Sequence, residues 1–403
     1  MKYVVILGDG MADFHQPSLN DKTPLMLANK PCMDSLAPKS IVGLAKTVPC
    51  GMKPGSDVAN LSVLGYDPEI GYTGRSPLEA ASIGIDLKDT DVTVRTNLVT
   101  LSNEQKFCDK TMVDYSGGEI STREAKILIE YLKEHLDNEE YTFFAGISYR
   151  HCLVIENGTI AGDFTPPHDI TGKPIKDYLP KSEQGKKLLA LMEKSHQLLK
   201  DHPVNLKRVR EGKNPANSIW LWGEGTKPSL EDFKVKYGVK GAMISAVDLL
   251  KGMGKIANMQ VVEVEGATGN YDTNFEGKAE ACLEALDNGC DFVYVHVEAP
   301  DECGHHGDAK NKIYSIEQID QKIIKRVIDG LEQRGEEFAL LIAPDHPTPI
   351  STMTHCSDPI PFMLYRSGKD IGNGAKSYDE DQAKSTGLYI EKGHTLVGKL
   401  LSL

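Results

Sequence analysis

What the chain lacks narrows it first. There is no surplus of positive charge: 45 lysines and arginines stand against 58 aspartates and glutamates, a formal net charge of -13. Phosphate backbones and anionic bilayers attract basic surfaces, so a general nucleic-acid or membrane-surface binder is excluded. A local basic pocket for a small anion is not. Long apolar runs are missing too. The opening MKYVVILGDG holds five consecutive apolar residues before a Gly-Asp-Gly turn, too few for a secretory signal or a bilayer span. The eight cysteines (32, 50, 108, 152, 282, 290, 303, 356) are scattered, with no CxxC pair. Free thiols of a soluble, cytoplasmic protein fit that spacing better than a disulfide framework. No internal repeat or low-complexity tract interrupts the 403 residues, a length that allows a large core and two domains.

What is there begins with three segments that read as buried parallel strands, apolar on both faces: YVVIL (3–7), FVYVHV (292–297) and FALLIA (338–343). Helical stripes fall between them. SIEQIDQKIIKRVIDGLEQRG (315–335) opens on Ser315 with Gln318 three residues on, a capping-box arrangement, and closes at Gly335. NFEGKAEACLEALDNG (274–289) closes on Gly289. This alternation predicts a parallel α/β sheet. The middle reads differently: VTVRTNLVTL (92–101) and HCLVIENG (151–158) read as short alternating strands. They interleave with helices at 121–136 and 182–200. The predicted organisation is an α/β domain from 1–85 and 211–403, interrupted by a smaller inserted α+β domain over 86–210, with REGKNPANS (210–218) as the return crossing.

Each of the three strands stops at ionisable residues: Asp9 after the first, Asp301 after the second, Asp345 and His346 after the third. In open α/β sheets ligands bind beyond the carboxyl ends of the strands, so these ends point to one shared site. In EAPDECGHHGDA, Asp301 and His305 are four apart, which one helical turn places on the same side. Asp301, His305 and His355 make one nitrogen–oxygen set; Asp9, Asp345 and His346 make another. Carboxylate and imidazole without thiolate suit manganese, zinc or a similar divalent ion. His306 reads as either a neighbour of the ligands or a substrate contact. In KPGSDVANLSVL, Ser56 opens a helix, where backbone N–H groups favour an anion. It reads as an N-cap or as a nucleophile activated by a metal.

GDGMAD, KPGSDVANLSVLGYDP, APDECGHHGD, PDHPTPI and His355 together resemble the cofactor-independent phosphoglycerate mutases, and more narrowly their archaeal-type branch in the alkaline-phosphatase-like metalloenzyme superfamily. GYTGRSPLEAASIG, DYSGGEIST, GISYRHCLVI, PPHDITGKPI, ANSIWLWGEG, GAMISAVDLLKGMG and GATGNYDTN extend the likeness nearly end to end. The resemblance implies an alkaline-phosphatase-like domain carrying an inserted phosphotransfer domain. It implies two divalent metal ions, manganese foremost with zinc, magnesium or cobalt as alternatives, and no bisphosphoglycerate. One ion would be held by Asp301, His305 and His355, the other by Asp9, Asp345 and His346 with Ser56 as the nucleophile that becomes phosphoserine. The substrate would be a small phosphorylated molecule, with 2- and 3-phosphoglycerate interconverted. Arg150 of SYRH matches an arginine that contacts the substrate's carboxylate or phosphate. His151, His168, Asp169, Arg75 and Lys251 are its companions, with Lys251 equally readable as a partner of helix-terminal carbonyls.

The chain departs from the family pattern in two places. Glu119 stands where a histidine is common in the D-S-x-G-H-I motif. Glu224 and Thr226 stand where glutamine and arginine are common. Both changes thin the positive charge expected around a phosphate. The resemblance includes a homoserine kinase-type branch, and a less basic acceptor pocket fits that alternative. A plain phosphatase would need no inserted domain to hold water as acceptor, and a non-catalytic protein would need none of the metal-type residues.

Overall fold

The computed structural model describes every residue except 163. Its strands, in chain order, are β1 (Lys2–Gly8), β2 (Ile41–Ala45), β3 (Val92–Leu101), β4 (Met112–Asp114), β5 (Tyr141–Phe144), β6 (Arg150–Ile155) and β7 (Ser218–Thr226). They continue with β8 (Gly241–Ile244), β9 (Gln260–Val262), β10 (Phe292–Val297), β11 (Phe338–Ala343), β12 (Ile360–Arg366) and β13 (Tyr389–Ile390). The chain divides into two compact units, Met1–Tyr72 with Ser229–Leu403, and Thr73–Pro228.

The first unit is built on an eight-stranded sheet in the order β13-β2-β12-β11-β1-β10-β8-β9. β1 runs parallel to β10 on one side and to β11 on the other, Leu7 lying opposite both His296 and Ala343. Every residue of β10 and β11 is buried, because helices cover both faces and leave no solvated side for polar alternation. β12 is the antiparallel member, pairing with β11 and β2. The three central parallel strands therefore deliver their carboxyl ends to one edge, as their run of apolar residues predicts.

The helix expected to open at Ser315 begins earlier. Asp308 caps the helix Ala309–Gln318 through Asn311 N–H, so Ser315 is mid-helix and its hydroxyl donates to the Asn311 carbonyl at 2.8 Å. The chain then passes through a π-helical turn, Ile319–Ile324, into Lys325–Gln333. Asp320 on that turn accepts the N–H groups of Cys32 and Met33 at 3.1 and 2.7 Å, which anchors the neighbouring helix Pro31–Leu36. The predicted stop holds: Gly335 has φ +66, which a side-chain-bearing residue adopts only with strain.

The second unit is a five-stranded sheet with β3 at its centre, antiparallel to β6 and β7. All ten residues of β3 are buried, so it is not the half-exposed strand its alternation suggests. The helices Thr122–Leu136 and Glu183–Leu199, capped by Ser121 and Ser182, pack one face. The opposite face carries Thr93, Arg95 and Asn97, and from it Arg95 reaches Glu79 of the helix Ser76–Ser82. That helix and β7 fall outside the 86–210 bounds expected from sequence; residues 210–218 lead into β7 of this same sheet.

Candidate metal centre

Asp9 follows β1 directly and is 1% exposed. Its Oδ2 lies 2.8 Å from His296 Nε2, and His296 Nδ1 faces the Ser245 hydroxyl at 3.0 Å. Ser245 Oγ also accepts from Val247 N–H at 3.0 Å. The other carboxylate oxygen, Asp9 Oδ1, is buried with no hydrogen-bond partner among the described residues. It lies 3.6 Å from His346 Nε2. Asp345 Oδ1 accepts the N–H groups of Gly10 and His346 at 3.1 and 2.8 Å, and its Oδ2 accepts from Asn60 Nδ2 at 2.7 Å. Tyr294 orients that amide by donating to Asn60 Oδ1 at 2.9 Å. His346 Nε2 is 3.2 Å from Asp345 Oδ2.

The second group abuts the first. Asp301 and His305 lie on the short helix Ala299–His305, as their spacing predicts, with His305 Nε2 3.2 Å from Asp301 Oδ2. His355 Nε2 is 3.4 Å from Asp301 Oδ1 and 2.8 Å from His305 Nε2. The His346 and His355 rings are 4.1 Å apart. Donor atoms of Asp301, His346 and His355, and likewise of Asp9, Asp345 and His346, lie within 4.8 Å of one another. His346 thus belongs to both clusters, while His305 extends the first.

Charge explains why such a site calls for cations. Burial, with the charges of Asp345, Asp301 and Glu298 adding to it, holds the Asp9 carboxyl well above the usual range. Burial also pushes Asp301 up, but hydrogen bonds from His305 and His355 outweigh it and hold that carboxyl well below the usual range. The Asp301 carboxylate in turn pushes His305 up to about 9. The orphaned Asp9 oxygen and an oxygen–nitrogen donor set without thiolate both fit divalent metal ions.

Ser56 is the first residue of the helix Ser56–Val63, and Gly55 is its N-cap, so the N-cap reading of Ser56 does not hold. Its Oγ lies 3.2 Å from His346 Nε2. Four residues on, Asn60 of the same helix reaches Asp345. His306 turns back onto its own helix, facing the Glu302 carbonyl at 2.8 Å. Lys251 sits within the helix Asp248–Ile256 and pairs with Glu263 at 2.7 Å, rather than with helix-terminal carbonyls.

The other candidates belong to the second unit. Arg75 Nε and Arg95 Nε grip the two oxygens of Glu79 at 2.9 and 2.8 Å. The Arg95 guanidinium stacks 4.0 Å from the Trp222 ring, and burial pushes it down to about 10. The Arg150 guanidinium lies 4.7 Å over Tyr149. His168, beside Asp169 on the turn Pro167–Ile170, packs 5.3 Å from Trp222. Burial lowers its pKa and the Arg95 and Arg75 charges lower it further, against Asp169. Glu119 is exposed with φ +47, its N–H donating to Ser116 Oγ. His151 is buried, and its Nδ1 accepts from Gly146 N–H at 3.0 Å. Glu224 does not simply thin the local charge: its carboxylate accepts the backbone N–H groups of Ala161 and Gly162.

The family model for 2,3-bisphosphoglycerate-independent phosphoglycerate mutase matches residues 37–205. A mutase of that description from Methanosarcina barkeri is 50% identical over 402 residues, covering 100% of this chain and 99% of the relative. The chain belongs to that family. A Geobacter sulfurreducens relative described as a probable mutase of the same kind is 48% identical over 401 residues, 100% of both chains. Among solved structures, a Pyrococcus horikoshii protein is similar with a TM-score of 0.83 and 30% identity, covering 100% of this chain and 96% of that one. The cofactor-independent phosphoglycerate mutase of Thermoplasma acidophilum gives 0.66 and 27%, covering 100% and 99%. Nothing in these likenesses supports the homoserine kinase-type alternative. As a phosphoglycerate mutase, the chain carries all of its candidate metal ligands and Ser56 in the first unit.

The residues that sequence reasoning passed over each left a faint trace. His296 and Tyr294 place polar groups in a strand otherwise made of phenylalanine and valine, Asn60 lies one helical turn after Ser56, and Arg95 is a lone charge in a strand otherwise free of it.

Proposed function

We propose that this phosphoglycerate mutase interconverts 2- and 3-phosphoglycerate through a phosphoserine at Ser56, without bisphosphoglycerate. The observation that carries the reading is the 3.2 Å approach of Ser56 Oγ to Nε2 of His346, the residue that lies in both clusters of donor atoms. Asp9, Asp345 and His346 would hold one divalent ion, and Asp301, His305 and His355 the other; manganese leads, with zinc, magnesium and cobalt accepted by the same donors. Such ions supply Lewis-acid polarisation of phosphoryl oxygens and make the serine hydroxyl easier to ionise.

The chain's own residues do the rest. Ser56 Oγ loses its proton and attacks phosphorus, and the bond from phosphorus to the glycerate oxygen breaks, leaving an alkoxide that takes up a proton. The N–H groups at the start of the Ser56–Val63 helix favour the phosphate's negative charge. The reverse attack by the other glycerate hydroxyl returns the phosphoryl group. Arg150 and Arg75, with His168, Asp169 and Glu119, would hold the glycerate in the second unit, a guanidinium suiting its carboxylate or phosphate in bidentate fashion. Lys251 and His151 are engaged with Glu263 and Gly146 and carry no such role in this proposal. Eight unpaired cysteines support placing the enzyme in the reducing cytoplasm.

The test is an enolase-coupled assay of the purified protein with 3-phosphoglycerate, Mn²⁺ and no bisphosphoglycerate. Steady phosphoenolpyruvate formation is expected, and homoserine with a phosphoryl donor should give none. Inactivity toward 3-phosphoglycerate under every divalent ion overturns the reading.

A further inference from the structure

Thr348 lies two residues beyond His346 and is fully buried. Its single hydroxyl contacts both candidate ligand groups: Oγ1 hydrogen-bonds to Asp301 Oδ1, and the same Oγ1 is 3.2 Å from His346 Nδ1. Its backbone is held from below, where the buried Lys312 ammonium donates to the Thr348 carbonyl at 2.8 Å. The chain leaves room for it: a Cβ on Gly10 would come within 2.6 Å of both Asp301 Oδ1 and Thr348 Oγ1.

The hydroxyl has one proton and can accept through its lone pairs. A carboxylate that ligates a cation only accepts, so the Thr348 proton goes to Asp301. Thr348 Oγ1 must then accept from His346, which places the imidazole proton on Nδ1. Nε2, which lies 3.2, 3.2 and 3.6 Å from Ser56 Oγ, Asp345 Oδ2 and Asp9 Oδ1, is left with a free lone pair. Only that tautomer can ligate a metal through Nε2. We infer that Thr348 is a positioning residue that sets the His346 tautomer and joins the two ligand groups through one hydroxyl. The inference rests on the metal-binding reading of those groups.

The test compares Thr348→Val, which keeps shape and removes the hydroxyl, with Thr348→Ser, which keeps the hydroxyl. Long-range proton–nitrogen correlation spectra of metal-free, ¹⁵N-histidine-labelled protein report the tautomer, with His346 assigned by its loss in His346→Gln. Wild type and Thr348→Ser should show a protonated Nδ1 and bare Nε2; Thr348→Val should shift toward protonated Nε2. The second readout is Mn²⁺ affinity by competition with a chelator, expected to fall about 10- to 100-fold in Thr348→Val and to recover in Thr348→Ser. A protonated Nε2 in wild type, or a Thr348→Val spectrum and affinity like wild type, overturns the inference. Absence of Mn²⁺ and Zn²⁺ binding by wild type sinks the metal reading instead, while the metal-free spectra still decide the role of Thr348. Should Thr348→Val fail to fold, the wild-type and Thr348→Ser spectra decide it.

Discussion

Ser56 Oγ and His346 Nε2 face each other across 3.2 Å, one at the first turn of a helix and the other in the loop after β11, 290 residues apart in sequence. That contact puts a hydroxyl against the histidine that lies in both clusters of donor atoms, and it makes Ser56 the residue with most to lose.

Ser56→Ala should therefore abolish mutase turnover, by at least about 1,000-fold, since a missing nucleophile removes the covalent route. The unfolding midpoint should change little, because Ser56 supplies no N-cap bond and Gly55 fills that position. Steady-state assay with thermal unfolding checks both. An alanine variant turning over within tenfold of wild type rules out the phosphoserine.

Removing divalent metal should cost both activity and stability. Burial first, and then the charges of Asp345, Asp301 and Glu298, hold the Asp9 carboxyl well above the usual range, so cations that neutralise this cluster stabilise the folded chain. Ions that bind only the folded state also stabilise it by mass action. Treatment with EDTA followed by its removal should silence the enzyme and lower its Tm, and Mn²⁺ should restore both. A stripped protein, verified metal-free by elemental analysis, that kept its rate and its Tm would contradict this.

Much of this was legible because the parallel strands are buried on both faces. Apolar runs that end in Asp9, Asp301 and Asp345 announce a sheet whose carboxyl edge holds charge, and the four-residue step from Asp301 to His305 announces a helix. Local pattern misled where tertiary contacts overrode it. The Ser315–Gln318 pair resembles a capping box, yet Asp308 starts that helix earlier and the stripe continues through a π turn that a 3.6-residue period cannot reveal. Glu224 looked like a change of charge around a phosphate, whereas its oxygens hold two backbone N–H groups. His296 sat inside an apolar strand, and its bond to Asp9 depends on a β1–β10 register that sequence does not display.

Lys312 carries a further expectation. Its ammonium is fully buried and donates to Asp13 Oδ2 at 2.8 Å, to the Thr348 carbonyl at 2.8 Å and to the Ala12 carbonyl at 3.3 Å. It thus ties the loop after β1 to the loop after β11, the two segments that carry Asp9, Asp345 and His346. Removing one member of a buried pair leaves a charge without compensation, at a cost of about 3–5 kcal/mol. Lys312→Met should lose stability on that scale in urea unfolding, and Asp13→Asn added to it should recover part of the loss. An unchanged midpoint in the single variant would show the pair to be expendable.

His151 offers a pH test inside the second unit. Its Nδ1 is occupied as an acceptor from Gly146 N–H, so a proton on it would break that bond, and Nε2 is buried with no partner among the described residues. Burial accordingly pushes its pKa down to about 3, from an ordinary 6.5. A depressed folded-state value means the unfolded chain takes up the proton first. The stability contribution is complete above pH 6.5 and drains away as pH falls toward 3, by about 1.4 kcal/mol per pH unit from this single group. Asparagine keeps an acceptor for Gly146 and does not titrate, so His151→Asn should be less stable than wild type near pH 8 and should lose less on acidification. The difference between the two unfolding free energies should narrow by about 2 kcal/mol between pH 6.5 and pH 5. Parallel stability curves across that interval would mean that His151 is already protonated, or has found a partner, in the folded protein.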